Sequence, residues 1–87
     1  MGDVAVSLRV MPSGTDVNLE RIKKEIRAIV EEKARLKSLE EKPIAFGLSA
    51  VEVLFIVPDS SGFSEIESAI AEIDGVESVE AGDITLL

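Results

Sequence analysis

An α+β two-layer sandwich, built in the order strand, helix, strand, strand, helix, strand, is the fold class that this 87-residue sequence predicts. Three observations point there. Apolar residues recur every second position in the opening segment, at helical spacing in two later segments, and as a near-continuous run from Leu48 to Val57. Pro and Gly punctuation falls between these segments rather than inside them. With 46% hydrophobic residues in so short a chain, there is room for one core and one sandwich, and residues 1–87 read as a single domain.

Val4, Val6, Leu8 and Val10 share one face of an extended segment, the pattern of a half-buried strand. Met11-Pro12-Ser13-Gly14 ends it, because Pro12 has no amide proton to give a ladder. Asn18 is placed as a helix N-cap, flanked by Val17 and Ile22 at the spacing of a hydrophobic staple. The helix runs to about residue 31, with Leu19, Ile22, Ile26 and Ile29 on one stripe, and Glu20, Lys23, Lys24 and Arg27 towards water. Glu20 and Lys24 stand at the favourable i,i+4 spacing.

Residues 34–41 predict a second, polar strand whose alternation slips between Leu36 and Leu39; its charges suit a sheet edge. Leu48 to Val57, the most apolar stretch, is a central strand bounded by Gly47 and Pro58. After the turn residues Asp59-Ser60-Ser61-Gly62, Ser64 and Glu67 have the spacing of a capping box, and Phe63, Ile66, Ile70 and Ile73 form a second apolar stripe. Gly75 fits a left-handed helix end. From Val76 the chain is extended again, with Val79, Ala81, Ile84, Leu86 and Leu87 expected to be buried. Right-handed crossovers turn this βαββαβ order into a ferredoxin-like fold: a four-stranded antiparallel sheet with two helices on one face.

Charge is unevenly spread. Residues 1–42 hold nine Lys/Arg and eight Asp/Glu, whereas residues 43–87 hold nine acids and no base, for a net charge of −8. Such an anionic half lacks the electrostatic attraction that drives binding to nucleic acid; either a basic protein surface is its partner, or the excess acid simply keeps a small domain soluble. The absence of Cys and His removes disulfides, thiol nucleophiles, imidazole bases and the usual zinc ligands. No phosphate-binding loop, dinucleotide fingerprint or activated nucleophile is present, so neither an enzyme nor a bound cofactor is expected. Glu77, Glu80 and Asp83 could take Ca²⁺ or Mg²⁺ weakly, although they lack the dense ligand spacing of a calcium loop. No signal-like amino terminus and no membrane-length apolar run occurs, so the expectation is a soluble, cytoplasmic protein without membrane contact. The oligomeric state is left open.

One connection stands out. Lys42-Pro43-Ile44-Ala45-Phe46-Gly47-Leu48 carries one of only three aromatic residues, in a Pro- and Gly-bounded loop between the two middle strands. Taken alone, Phe46 reads more readily as a core plug than as a contact residue; its place in a loop favours contact, because loops mounted on rigid scaffolds hold a disproportionate share of binding residues.

The segment Pro43-Ile44-Ala45-Phe46-Gly47-Leu48 resembles the Pro-x-Gly-Phe-Gly-Ile loop in the catalytic domain of the eukaryotic exchange factor for elongation factor 1. Met1-Gly2-Asp3-Val4, Val10-Met11-Pro12, Asp16-Val17-Asn18-Leu19 and Gly75-Val76-Glu77-Ser78-Val79 extend the likeness to the archaeal elongation factor 1-beta family over essentially the whole chain. The resemblance implies guanine nucleotide exchange on the elongation factor 1-alpha GTPase during translation elongation. It also implies that Phe46 enters a pocket of that partner, with Ile44 and Gly47 shaping the loop. At the penultimate position, where the eukaryotic domain has a lysine that reaches towards the magnesium site, this chain has Leu86. The alternative expectation is a ferredoxin-like ligand-sensing or oligomerisation module without exchange activity. An RNA-recognition domain shares the fold, but its third strand needs several aromatics where this one has only Phe55.

Overall fold

The computed structural model describes residues 2–14, 16–44, 47–58 and 63–87. Its elements are β1 (Asp3–Pro12), α1 (Leu19–Lys33), β2 (Arg35–Pro43), β3 (Ser49–Pro58), α2 (Ser64–Ala71) and β4 (Val76–Leu86). The four strands form one antiparallel sheet in the order β2-β3-β1-β4. The ferredoxin-like order, with the polar second strand at an edge and the apolar third strand inside, is therefore present. No helix among the described residues is long and apolar enough to cross a membrane.

The sheet's inner face is set by strict alternation. Val6 pairs with Phe55, Leu8 with Val53 and Val10 with Val51, and all six are buried. Upon them sit Ile22, Ile26 and Val30 of α1, with Ile66 and Ile70 of α2 and Ile73 just beyond it. Leu19 and Ile29 of the expected α1 stripe are only partly buried at its margin. Phe55 lies in this core and is fully buried, so it offers no platform on the opposite, open face of the sheet.

Local signals explain most element ends. The Asn18 side-chain oxygen accepts the Arg21 N–H at 3.2 Å, the N-cap bond that satisfies one of the orphan donors of α1. The slip in β2 is a bulge: pairing passes from Leu36↔Phe55 to Ser38↔Leu54, which returns Leu36 and Leu39 to the same side. Gly75 has φ 99°, and a Cβ there would stand 3.0 Å from Val17 Cγ1 and 3.3 Å from Arg21 Nη2. A side chain is thus opposed by both the backbone angle and the space.

Three expectations are corrected. Ser64 is not the cap of α2; Phe63 is, without a side-chain bond, and its carbonyl accepts the Glu67 N–H at 3.0 Å. Because Phe63 packs against the core, the helix starts from it and Ser64 becomes its first residue. At the other end α2 stops at Ala71, and shorter i→i+3 bonds from Glu72 to Ala69 and from Ile73 to Ile70 carry the chain to Gly75. Finally, Ile84, Leu86 and Leu87 are not buried but 50%, 71% and 65% exposed, and Ala81 is exposed too; only Val79 packs partly against the core. Register places Ile84 beside Val6 and Leu86 beside Val4, on the helix side of the sheet. The cover is missing because α2, with 8 residues, reaches only about 12 Å at the α-helical rise. The 11 residues of β4 extend about 37 Å at the strand rise.

Truncation should separate these two environments. Ile26→Ala, in the sealed core, is expected to lower the unfolding free energy by about 2–5 kcal/mol in urea titrations. Ile84→Ala should cost less than about 1 kcal/mol, and a loss comparable to that of Ile26→Ala would show that β4 is covered after all.

Candidate functional site

The connection between β2 and β3 is a hairpin tip. Pro43 pairs with Ser49 at the last rung, and the Ile44 N–H donates to the Leu48 carbonyl at 2.9 Å, closing the loop's base. Gly47 has φ 81°, the left-handed conformation that glycine adopts without steric cost. Ile44 is 44% exposed, an apolar side chain held out at the tip. Phe46 and Ala45 lie outside the described residues.

A lysine shared by two carboxylates ties this end of β2 to α1. The Lys23 ammonium lies 2.9 Å from Glu41 and 3.1 Å from Glu20. The expected Glu20 to Lys24 pair is replaced, because Lys23 reaches both Glu20 and the strand. Hydrogen bonding to Glu41 first, and to Glu20 second, holds the Lys23 pKa above its ordinary value. Lys42, next to the loop, is 3.8 Å from Glu40 and largely solvated. Nothing in the sequence marks Lys23 and Glu41 as partners, since residues 18 positions apart meet only once α1 has been laid across the sheet.

Leu86 is not part of this cluster. It pairs with Val4, which in turn faces Val57 near the far end of β3, whereas the loop joins β3 at Ser49. The separation along the strands is about 27 Å at the rise per residue of a strand. Ile44 and Gly47 thus occupy one end of a molecule 42 Å long and Leu86 the other.

Electrostatics follow the topology. β2 with α1, and β4 with α2, lie towards opposite edges of the sheet, so seven of the nine acids after residue 42, from Glu65 to Asp83, make one acidic flank, while Glu52 sits on the central β3. Cations face it from α1 and β1: Arg21, bonded to Glu25 at 2.6 Å, donates to the Asp74 carbonyl at 2.5 Å, Lys33 lies 3.1 Å from Glu65, and Arg9 stands opposite Glu80 in register. Among the described residues no three Asp or Glu side chains, Glu77, Glu80 and Asp83 included, gather in a metal-holding group.

Residues 5–87 match the family model of the EF-1 guanine nucleotide exchange domain. The chain belongs to that family. Elongation factor 1-beta of Methanothermobacter thermautotrophicus is 42% identical over 88 residues, spanning 100% of this chain and 99% of that protein. Elongation factor 1-beta of Archaeoglobus fulgidus is 42% identical over 89 residues, with 100% of both chains covered. This exchange-domain chain is also similar in fold to the ACT domain from the GTP pyrophosphokinase of Chlorobium tepidum, at TM-score 0.68 and 14% identity, covering 92% of this chain and 99% of that one. The C-terminal domain of the MgtC protein from Mycobacterium tuberculosis superposes at TM-score 0.60 and 10% identity, covering 94% and 86%. These two likenesses concern the fold alone.

The Lys23 clamp has a definite pH signature. A lysine whose pKa is higher folded than unfolded contributes stability below the ordinary value of 10.5, and loses it as pH rises past that value through the folded one. In urea titrations the wild-type advantage over Lys23→Met should be constant up to about pH 9 and shrink above 10.5. An advantage unchanged through that range would mean that the ion pairs contribute nothing.

Proposed function

We propose that residues 1–87 act as one guanine nucleotide exchange domain that promotes GDP/GTP exchange on elongation factor 1-alpha during translation elongation, in the cytoplasm. The family match over residues 5–87 is the observation that carries this reading. Archaeal relatives of nearly the same length bear the name elongation factor 1-beta, and the exposed hairpin tip supports it further. The ligand-sensing alternative is not favoured, since the ACT-domain likeness at 14% identity extends only to the fold.

Exchange of this kind needs no covalent step. A factor that binds the nucleotide-free GTPase more tightly than the GDP-bound form must, by reciprocity, weaken GDP binding in the complex by the same factor. Phe46 is the proposed anchor in a pocket of the GTPase, presented by Ile44 and the left-handed Gly47. Leu86, 71% exposed at the opposite end, is proposed to make the second contact. An apolar side chain there offers contact area but no cation, so disturbance of the partner's nucleotide site proceeds without an ammonium from this position. The acidic flank favours encounter with basic GTPase surface and plays no part with nucleic acid.

The direct check is release of labelled GDP from preloaded elongation factor 1-alpha, with and without this protein. Acceleration is expected; none at micromolar factor would remove the exchange reading. Phe46→Ala should reduce exchange efficiency by about 30-fold, the equivalent of about 2 kcal/mol for a truncated interface anchor, while Tm stays nearly constant. A large fall in Tm would instead assign Phe46 to the protein's own core.

A further inference from the structure

In the reading above β4 contributes only the Leu86 side chain at its end; its outer edge is otherwise unused, and three features make it unusual. It is the last strand of the sheet, so its outward backbone N–H and C=O groups have no neighbouring strand along Val76–Leu86 among the described residues. Pairing with β1 nonetheless persists to the end of the chain: Leu86 pairs with Val4, and the Leu87 N–H donates to the Asp3 carbonyl at 2.8 Å. The strand is therefore held in line as a template rather than frayed. Along it, Ile84 and Leu86 stand on the helix-facing side beside Val6 and Val4, yet are 50% and 71% exposed because α2 does not reach over them.

The two edges of the sheet are protected differently. β2 carries Arg35, Lys37 in a bulge, Lys42 and a terminal Pro43, the usual devices against foreign strands. β4 has no Lys, Arg or Pro; its protection is two irregularities, near Gly82 and near Glu77, together with Glu77, Glu80 and Asp83. Carboxylates repel some strands and attract others. A second copy of β4 laid against the first would set these acids against their own counterparts, and like charges facing each other across strands are unfavourable. A strand carrying Lys or Arg on alternate positions meets the opposite sign.

We propose that the outer edge of β4 is a strand-addition site for an extended segment of a partner protein, one that alternates apolar with basic residues. Main-chain bonds to the open edge provide the attachment, as in other cases of sheet augmentation. Apolar side chains of the added strand cover Ile84 and so extend the inner layer that α2 leaves open. Basic side chains meet Glu77, Glu80 and Asp83, none of which has an ion-pair partner among the described residues. This site is separate from the hairpin tip, and its occupancy does not depend on exchange activity.

The test uses the full chain and a short synthetic peptide alternating Lys with Ile, with an alternating Glu and Ile peptide as control. NMR amide shifts and slowed hydrogen exchange are expected to centre on residues 79–87 for the basic peptide alone, weakening with salt. The double variant Glu77→Lys/Asp83→Lys should bind the basic peptide about tenfold less tightly, the equivalent of about 1.4 kcal/mol, and should gain affinity for the acidic one. That gain distinguishes altered recognition from misfolding. Shifts confined to the open sheet face or to α1, equal binding of both peptides, or concentration-dependent self-association through β4 would each overturn the proposal.

Discussion

The apolar residues of β4 that stand free at one end of this molecule do so because its two helices are shorter than the strands they cover. The central pair, β1 and β3, must bury Val6, Leu8, Val10, Val51, Val53 and Phe55 on one side, and the helices supply Ile22, Ile26, Val30, Ile66 and Ile70 for that purpose. That hydrophobic seal holds the fold together. It closes over the middle of the sheet only, and both ends of an object 42 Å long remain outside it. At one end stands the β2–β3 hairpin with Ile44 and Gly47; at the other, the last turnings of β4 with Ile84 and Leu86. A scaffold with a rigid centre and exposed apolar ends is well suited to contacting another protein over a long footprint.

Topology then decides where charge goes. A chain whose bases all lie at or before Lys42 has only a linear asymmetry. The strand order β2-β3-β1-β4 interleaves the halves in the middle of the sheet but puts β2 with α1 at one edge and β4 with α2 at the other, which makes much of the asymmetry lateral. The ties across the middle are modest: Arg21 to the Asp74 carbonyl, and Lys33 to Glu65 at 3.1 Å, both solvent-exposed. Exposed ion pairs add little stability. Their arrangement matters more for the sign of the surface a partner meets.

Much of the fold was legible because periodicity is a local consequence of backbone geometry. Val4 to Val10 alternate, α1 repeats Ile22 and Ile26 at one face, and Asn18 and Gly75 mark special backbone positions. Even the irregular spacing of Leu36 and Leu39 reported a real bulge. The candidate site was legible in part: Pro43, Ile44 and Gly47 are recognisable as a bounded loop, and the hairpin tip is where the chain places them. Lys23 and Glu41 were not, because their contact depends on how α1 crosses β2.

The misreadings share one cause. Ser64 and Glu67 have the spacing of a cap, but the burial of Phe63 set the start of α2. Ile84, Leu86 and Leu87 have the composition of core residues, but no helix extends far enough to cover them. By itself, the amino-acid sequence determined the elements, their order and the family, since these follow from short-range periodicity and from motifs. Only the tertiary structure decided which apolar residues are sealed and which are presented, because burial depends on the relative lengths and placement of elements that are remote along the chain.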